Sequence, residues 1–390
     1  FRVQDSSGSR INIQKDGDRL KDALLAILAG EVRDDTLNHL ILGAGLTARQ
    51  VALLRTYRGY LFQLIPSASL TFVTRTMVNN PDCSAILYDY FRAKFDPKVE
   101  DRNEAVQKAQ EAFVTCLQSV SSLPEDEILR FTFSLIEATT RTNFYLGKPY
   151  IGVKVQSQDL EAIPEPRPYR EIFVSSPEVE AVHLRGGRIS RGGLRWSDRP
   201  DDFRTEVLGL MKTQMTKNTL IVPEGSKGGF VLKRPPADPA ALKAHVRAQY
   251  KVFIRGLLDL TDNIHDGEPV HPANLVIYDD PDPYLVVAAD KGTATFSDTA
   301  NEVSAEYQFW LGDAFASGGS HGYDHKKEGI SANGAWVCAK RNFRELGIDP
   351  LTQEFTAIGI GDMSCDVFGN GMLYTNMTKL LAAFNHLNIF

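Results

Sequence analysis

No apolar run in this 390-residue sequence approaches the ~20 residues that a membrane-crossing helix needs. The longest, such as 23–29 and 285–289, are far shorter, so no membrane partner is expected. Cysteine is scarce, with four residues at 83, 116, 338 and 365. They form no CxxC pair and no Cys/His cluster at zinc spacing, which argues against a disulfide framework and against a bound metal. Four free thiols fit a reducing compartment, and the expected location is cytoplasmic. A large excess of charge is missing too. The net charge of −6 gives no global signal for nucleic acid or a membrane surface. Internal repeats and low-complexity tracts are also absent. The chain starts at Phe1 without an initiator Met or a leader pattern, and it stops at Phe390 just after an apolar helical pattern. Both features suggest an excised or processed segment of a longer protein.

What is present is ordinary globular material. The sequence is 43% hydrophobic and 24% charged, which excludes wholesale disorder. The length corresponds to about two to three domains and is ample for a buried core.

Residues 16–146 read as helical. Leu20, Leu24, Leu25 and Leu28 repeat at helical spacing, as do Val51, Leu54, Tyr57, Leu61 and Leu64. Further helices are expected around Tyr90, over 105–120 and over 128–145. Arg55, Arg58 and Arg141 in this region are read as solvated helix faces. After Gly147 the period changes. Ile151, Val153 and Val155 alternate, and so do Ile172 and Val174, which is the strand period. From residue 200 helices and strands alternate, the α/β signature. One helix is expected after Asp202, with Val207, Leu208, Met211 and Met215 on one face, and others cover 237–260, 303–311 and 334–346. Expected strands cover 179–184, 219–222, 275–278, 285–288 and 355–360, and a last helix is expected over 364–384.

The chemistry is concentrated in one stretch. Between Arg185 and Arg234 seven Arg and four Lys face three Asp and two Glu, a local excess of positive charge inside an acidic protein. Several of these cations sit among glycines, in Arg191–Gly192–Gly193–Leu194–Arg195 and in the loop Gly225–Ser226–Lys227–Gly228–Gly229. Glycine lets backbone and ligand approach closely, so an anionic small ligand is expected and nucleic acid is not. Gly225–Ser226–Lys227–Gly228–Gly229 lacks the order of a phosphate-binding P-loop. A lysine in such a setting can act as acid or base, or polarise a carbonyl. Gly359–Ile360–Gly361–Asp362–Met363–Ser364 follows a strand-like run and matches the dinucleotide fingerprint GxGxxG, with Ser in the third glycine position. The acid that would hold the ribose lies about 20 residues on, and with a helix over 364–384 that position falls beyond Phe390.

Two other patterns are weighed and set aside. Gly318–Gly319–Ser320–His321–Gly322 matches GxSxG, but the strand and helix a nucleophile elbow requires are missing. His321 and His325 have helical metal-site spacing, but they stand in a glycine-rich loop with no intervening glutamate.

Taken together, five ordered stretches resemble the glutamate dehydrogenases, and specifically the large bacterial NAD-specific ones. They are RGGLRWSDRPDD from Arg191, MKTQMTKN from Met211, PEGSKGGF from Pro223, AADKGTATFSDTAN from Ala288 and IGIGDMSCDVFGNGM from Ile358. The resemblance implies roles. Lys227 matches the catalytic lysine and Asp290 the proton-shuttling aspartate. Lys217 matches the lysine for the substrate α-carboxylate. Arg191, ahead of Gly192 and Gly193, matches the cation for the distal carboxylate. Gly359, Gly361, Asp362, Met363 and Ser364 would hold NAD. Substrates would be L-glutamate or 2-oxoglutarate with ammonium, and a homo-oligomer is implied. Residue 191 is Arg where small members have Lys, and the segment 232–272 is longer than theirs. The Gly318 loop also loses the Thr–Gly–Arg that follows in small enzymes.

The expected architecture is α/β with three parts. A helical domain covers 1–148, an α/β substrate-binding catalytic domain covers 149–350, and 351–390 holds the first strand–turn–helix of a Rossmann-type NAD-binding domain. Rival readings are a leucine- or phenylalanine-type dehydrogenase and a catalytically inert regulatory or structural fragment.

Overall fold

The computed structural model describes residues 11–390, apart from 66, 162, 164, 218–222, 294, 321–326, 362, 364 and 386–387. The helical layer consists of α1 (Ile13–Leu28), α2 (Leu40–Gly43), α3 (Ala48–Leu64), α4 (Leu70–Asn79), α5 (Pro81–Phe95), α6 (Arg102–Leu117) and α7 (Leu123–Ala138). The starts are coded locally. Thr47 and Gln50 form a reciprocal capping box at α3, and Pro81 opens α5 where its missing N–H costs nothing. The helix expected to run to Tyr145 ends at Ala138. The β-branched run Thr139–Thr142 pairs instead as strand β1 with β2 (Ile151–Val155).

Strands β3 (Arg170–Ser175), β4 (Val179–Arg185), β5 (Ser190–Trp196), β6 (Glu224–Leu232) and β9 (Val286–Ala289) complete a seven-stranded sheet in the order β1-β2-β3-β4-β6-β5-β9. Helix α8 (Phe203–Lys217) connects β5 to β6, and α9 (Pro239–Leu258) follows β6. Between α9 and β9 stands a small hairpin, β7 (Asn263–His265) with β8 (Glu268–Val270), and α10 (Ser297–Glu306) follows β9. The expected strand over 275–278 is irregular chain instead.

Alternation along the strands builds two cores. Phe173, Val182, Leu184 and Val231 face the helical layer and α8, whereas Val174, Ala181, Leu194 and Phe230 face α9 and α10. The helical layer and the sheet therefore share one core. The chain divides into two compact units, residues 1–317 and 318–390.

Three arginines depart from expectation. Arg55 and Arg58 are buried and pair with Asp35, and Arg141 is fully buried. Arg141 binds both oxygens of Asp262 (2.6 and 3.0 Å) and also Asp279, while Lys154 bridges Asp279 and Asp282. The partners lie more than a hundred residues away in the chain, so helical spacing around Arg141 carries no trace of them. These ion pairs fasten the long segment after α9 to β1 and β2. The expectation of four free thiols is also corrected. Cys83 of α5 and Cys116 of α6 form a disulfide across the α5–α6 hairpin, and Cys338 and Cys365 are free and exposed.

The second unit holds α11 (Ile330–Glu345), β10 (Phe355–Ile360), a π-helical turn Asp366–Asn370 and β11 (Thr378–Phe384). The expected helix over 364–384 is thus a short turn followed by a strand. β11 pairs parallel with β10, so Leu380 to Ala383 complete a ladder. Among the described residues no helix is long and apolar enough to cross a membrane.

Candidate active site

Strands β6, β5 and β9 are parallel neighbours, so their carboxyl ends point the same way. That edge is where open α/β sheets place their sites. β5 pairs Arg191 with Gly225 and Leu194 with Gly228, which sets Gly193 level with Lys227. On its other side β5 pairs Gly193 with Ala288 and Leu194 with Ala289, so Asp290 follows at once. Lys227 and Asp290 therefore flank β5, two strand spacings or about 10 Å apart in backbone terms. Their side chains meet across Gly193, with Lys227 Nζ 3.5 Å from Asp290 Oδ2. The absence of a side chain at Gly193 permits this. A Cβ there would stand 3.0 Å from both Asp290 Cβ and the Ala289 carbonyl oxygen. At Gly192 a Cβ would collide with the Ser226 carbonyl oxygen. The SKGG run expected as a loop is the middle of strand β6.

Asp290 is partly buried. Burial pushes its carboxyl up, but the Lys291 backbone N–H, the Lys227 charge and Arg195 outweigh that, and its pKa lies below the ordinary aspartate value. Arg195 donates from Nη2 to Asp290 Oδ1 at 3.1 Å and from Nη1 to Glu206 Oε1 at 2.6 Å. Ser197 Oγ donates to the other Glu206 oxygen at 2.6 Å. Sequence reading missed Arg195, Glu206 and Ser197. The available signal was alternation: Arg195 is two residues after Gly193 on one strand, with Glu206 in the first turn of the next helix.

The basic excess of 185–234 resolves into two groups. Arg185, Arg195, Arg199, Arg204, Lys227, Lys233 and Arg234 are paired with carboxylates. Among the described residues no carboxylate pairs with Arg188, Arg191, Lys212 or Lys217. Arg191 is exposed on β5, donates to Ser317 Oγ at 2.6 Å, and its carbonyl accepts from Gln214 of α8 at 2.7 Å. Lys217 is exposed at the end of α8, one turn beyond Gln214. Lys227 and Asp290 are thus in contact, with Gly193 between them. Arg191 joins through β5, whereas Lys217 stands apart at its helix end. A cavity of about 760 Å³ lined by Arg49, Lys148, Tyr150 and Glu178 lies between the helical layer and the sheet and includes none of these residues.

The fingerprint residues belong to the second unit. Gly359 closes tightly, since a Cβ there would enter the Phe368 ring. Gly361 has φ +113° with open space where a Cβ would stand, a turn that only glycine adopts freely and that a pyrophosphate could approach. Met363 is exposed, and Asp362 and Ser364 lie outside the described residues. The helix expected to open there is only the five-residue turn Asp366–Asn370, so a helix dipole adds little. Because β11 is the next strand, the residue at its end is Asn385, within the chain and not beyond Phe390. His321 and His325, and with them the GxSxG pattern beyond Ser320, fall outside the described residues. Among the described residues no group of three or more His, Cys, Asp or Glu is placed to hold a metal.

Comparison with known proteins identifies the family. The family description "Bacterial NAD-glutamate dehydrogenase, catalytic domain" matches residues 112–390, and "Glutamate dehydrogenase, helical motif 3" matches 32–97. NAD-specific glutamate dehydrogenases of Halomonas elongata and Pseudomonas aeruginosa are each 50% identical over all of this chain, and that of Mycobacterium tuberculosis is 51% identical over 95% of it. The chain spans about a quarter of the length of these relatives (24–25%). Among solved structures, hetero-hexameric glutamate dehydrogenase from Thermus thermophilus in its Leu-bound form is 14% identical, covers 70% of this chain and 59% of its own, and has a TM-score of 0.37. On the family match and the bacterial relatives, this chain belongs to the bacterial NAD-glutamate dehydrogenase family, whose catalytic domain it carries from residue 112 onward.

Proposed function

We propose that this chain carries the substrate chemistry of an NAD-dependent glutamate dehydrogenase, which interconverts L-glutamate with 2-oxoglutarate and ammonium. The observation that carries the reading is the Lys227–Asp290 pair set across Gly193, beside Arg191, which has no carboxylate partner among the described residues. 2-Oxoglutarate is a dianion. Arg191 would take its distal carboxylate and Lys217 its α-carboxylate, two cations for two charges. A monocarboxylic substrate of the leucine or phenylalanine type needs only one.

In the reductive direction the Lys227 ammonium donates to the C2 carbonyl oxygen and polarises it. Ammonia adds at C2, and Asp290 accepts a proton from the nitrogen. Lys227 protonates the resulting alkoxide, regains a proton from solvent and gives it to the hydroxyl, which leaves as water. An iminium at C2 results. NADH, when bound, would supply the hydride for this carbon. The turn at Gly359 and Gly361, with Asp362, Met363 and Ser364, would hold the dinucleotide. The same reading carries a homo-oligomeric assembly and a cytoplasmic location.

The test uses the full-length protein. NADH oxidation should require both 2-oxoglutarate and ammonium. Arg191→Met should raise KM for 2-oxoglutarate by roughly ten- to a hundredfold while barely changing it for a monocarboxylic 2-oxo acid. Equal effects on both would overturn the distal-carboxylate role, and no turnover of any oxo acid would favour an inert fragment.

A further inference from the structure

The two oxygens of Asp290 stand in different surroundings. Oδ2 faces Lys227 at 3.5 Å. Oδ1 is occupied: it accepts from Arg195 Nη2 at 3.1 Å and from the Lys291 backbone N–H at 2.8 Å. Arg195 in turn is fixed from behind by Glu206 in the first turn of α8, and Glu206 by Ser197 just past β5. The side chains of Arg195, Glu206 and Asp290 are 15, 14 and 19% exposed, so water competes weakly for these contacts. Among the described residues, Arg195 is therefore the cation that stands between the two carboxylates. Without it Asp290 and Glu206 would face each other as like charges, which makes the Asp290 anion harder to hold.

We propose that Arg195 is a positioning residue for the Asp290 base, holding Oδ1 so that Oδ2 alone is offered to the substrate nitrogen. This rests on the glutamate dehydrogenase reading for what the base does, but not for the clamp itself. During turnover Oδ2 takes a proton from the nitrogen and passes it to solvent. The Arg195 contact restores the anion and keeps the carboxylate from rotating into a two-oxygen pair with Lys227. Such a pair would tie up both the acid and the base. Glu206 keeps the four-residue set electrically neutral, so Arg195 can hold Asp290 without becoming a second anion-binding cation beside the substrate.

The experiment compares wild type, Arg195→Met and Arg195→Lys in the full-length protein, with two readouts. The first is kcat and KM across pH. Removing Arg195 removes a stabiliser of the Asp290 anion, so the acidic limb should move to higher pH by about one unit. At the same time kcat should fall by about tenfold or more, with KM for 2-oxoglutarate changing less than about threefold. Arg195→Lys should recover part of both. The second readout is independent of activity: carbodiimide labelling of Asp290, followed by mass spectrometry, reports where the carboxyl becomes protonated. In Arg195→Met labelling should extend about one pH unit higher. An unmoved acidic limb together with unmoved labelling would overturn the clamp. A wild-type protein with no glutamate turnover would instead defeat the functional reading, and the labelling shift would still decide for or against the clamp.

Discussion

Gly193→Ala adds one methyl group to the strand between Lys227 and Asp290. The new Cβ would stand 3.0 Å from the Ala289 carbonyl oxygen, 3.0 Å from Asp290 Cβ and 3.3 Å from Asp290 Oδ2. Ordinary carbon contacts lie at about 3.5–4.0 Å, so something must retreat by about half an ångström. Ala289 is held in the β5–β9 ladder, whereas the Asp290 side chain is held by hydrogen bonds and ion pairs from Arg195, Lys291 and Lys227. The carboxylate is the part that yields. A displacement of 1 Å in a reacting group costs about a hundredfold, so half of that predicts a kcat loss of about tenfold. Stability should fall by about 1–3 kcal/mol for overpacking, leaving a folded protein. The assay is initial-rate NADH oxidation in the full-length protein, with a thermal melt of the same preparation. A kcat within about twofold of wild type in a folded variant would refute the idea that the Lys227–Asp290 geometry sets the rate. Gly192→Ala provides the contrast. Its Cβ would strike the Ser226 backbone, which cannot retreat, so folded protein and not kcat should be lost.

Three further outcomes follow from charge placement. Burial raises the Asp35 pKa, but Arg55 and Arg58 outweigh it and hold it at about 2. A depressed carboxylate stabilises the fold above its unfolded value, near 3.8, and that contribution is lost as pH falls through 2. Asp35→Asn should therefore cost about 1–2 kcal/mol at pH 7, trimmed by partial exposure, and progressively less below pH 4 in urea titrations. Arg141→Met leaves Asp262 buried without its arginine and Asp279 with Lys154 alone, so a loss of about 3–5 kcal/mol is expected in the same measurement, and a loss below ~1 kcal/mol would show the network to be dispensable. Asn385 occupies the strand end where an acid would repel a 2′-phosphate. Asn385→Asp should lower kcat/KM for NADPH relative to NADH, and an unchanged ratio would remove that position from the ribose site.

Gly193, Lys227 and Asp290 each sit in a distinctive local run, so they stand out in the sequence as a candidate site. Their mutual arrangement is less accessible. The SKGG run reads as a loop because glycine is uncommon in strands. Here Gly228 is crowded by Leu194, His183 and Phe253, and Gly229 by Val207, so the glycines mark close packing within β6. The segment 364–384 reads as a helix because a short apolar run does not distinguish the two periods. Only pairing with β10 makes Leu380–Ala383 a strand. Arg141 shows the opposite limit. Its partners lie more than a hundred residues away, and no local pattern separates a buried ion pair from a solvated helix face. The Cys83–Cys116 bridge is hidden for the same reason: 33 residues separate the two thiols, and only the α5–α6 hairpin brings them together. Arg195 lies inside a recognised motif, but its task becomes visible only with Glu206 and Asp290 standing on either side of it.

The central claim is that Lys227, set beside Asp290, polarises the 2-oxoglutarate carbonyl. The most direct measurement is NADH oxidation with 2-oxoglutarate and ammonium by full-length Lys227→Ala, alongside a thermal melt. Loss of kcat by about a hundredfold or more in a folded protein is the predicted result. Undiminished turnover would contradict the mechanism.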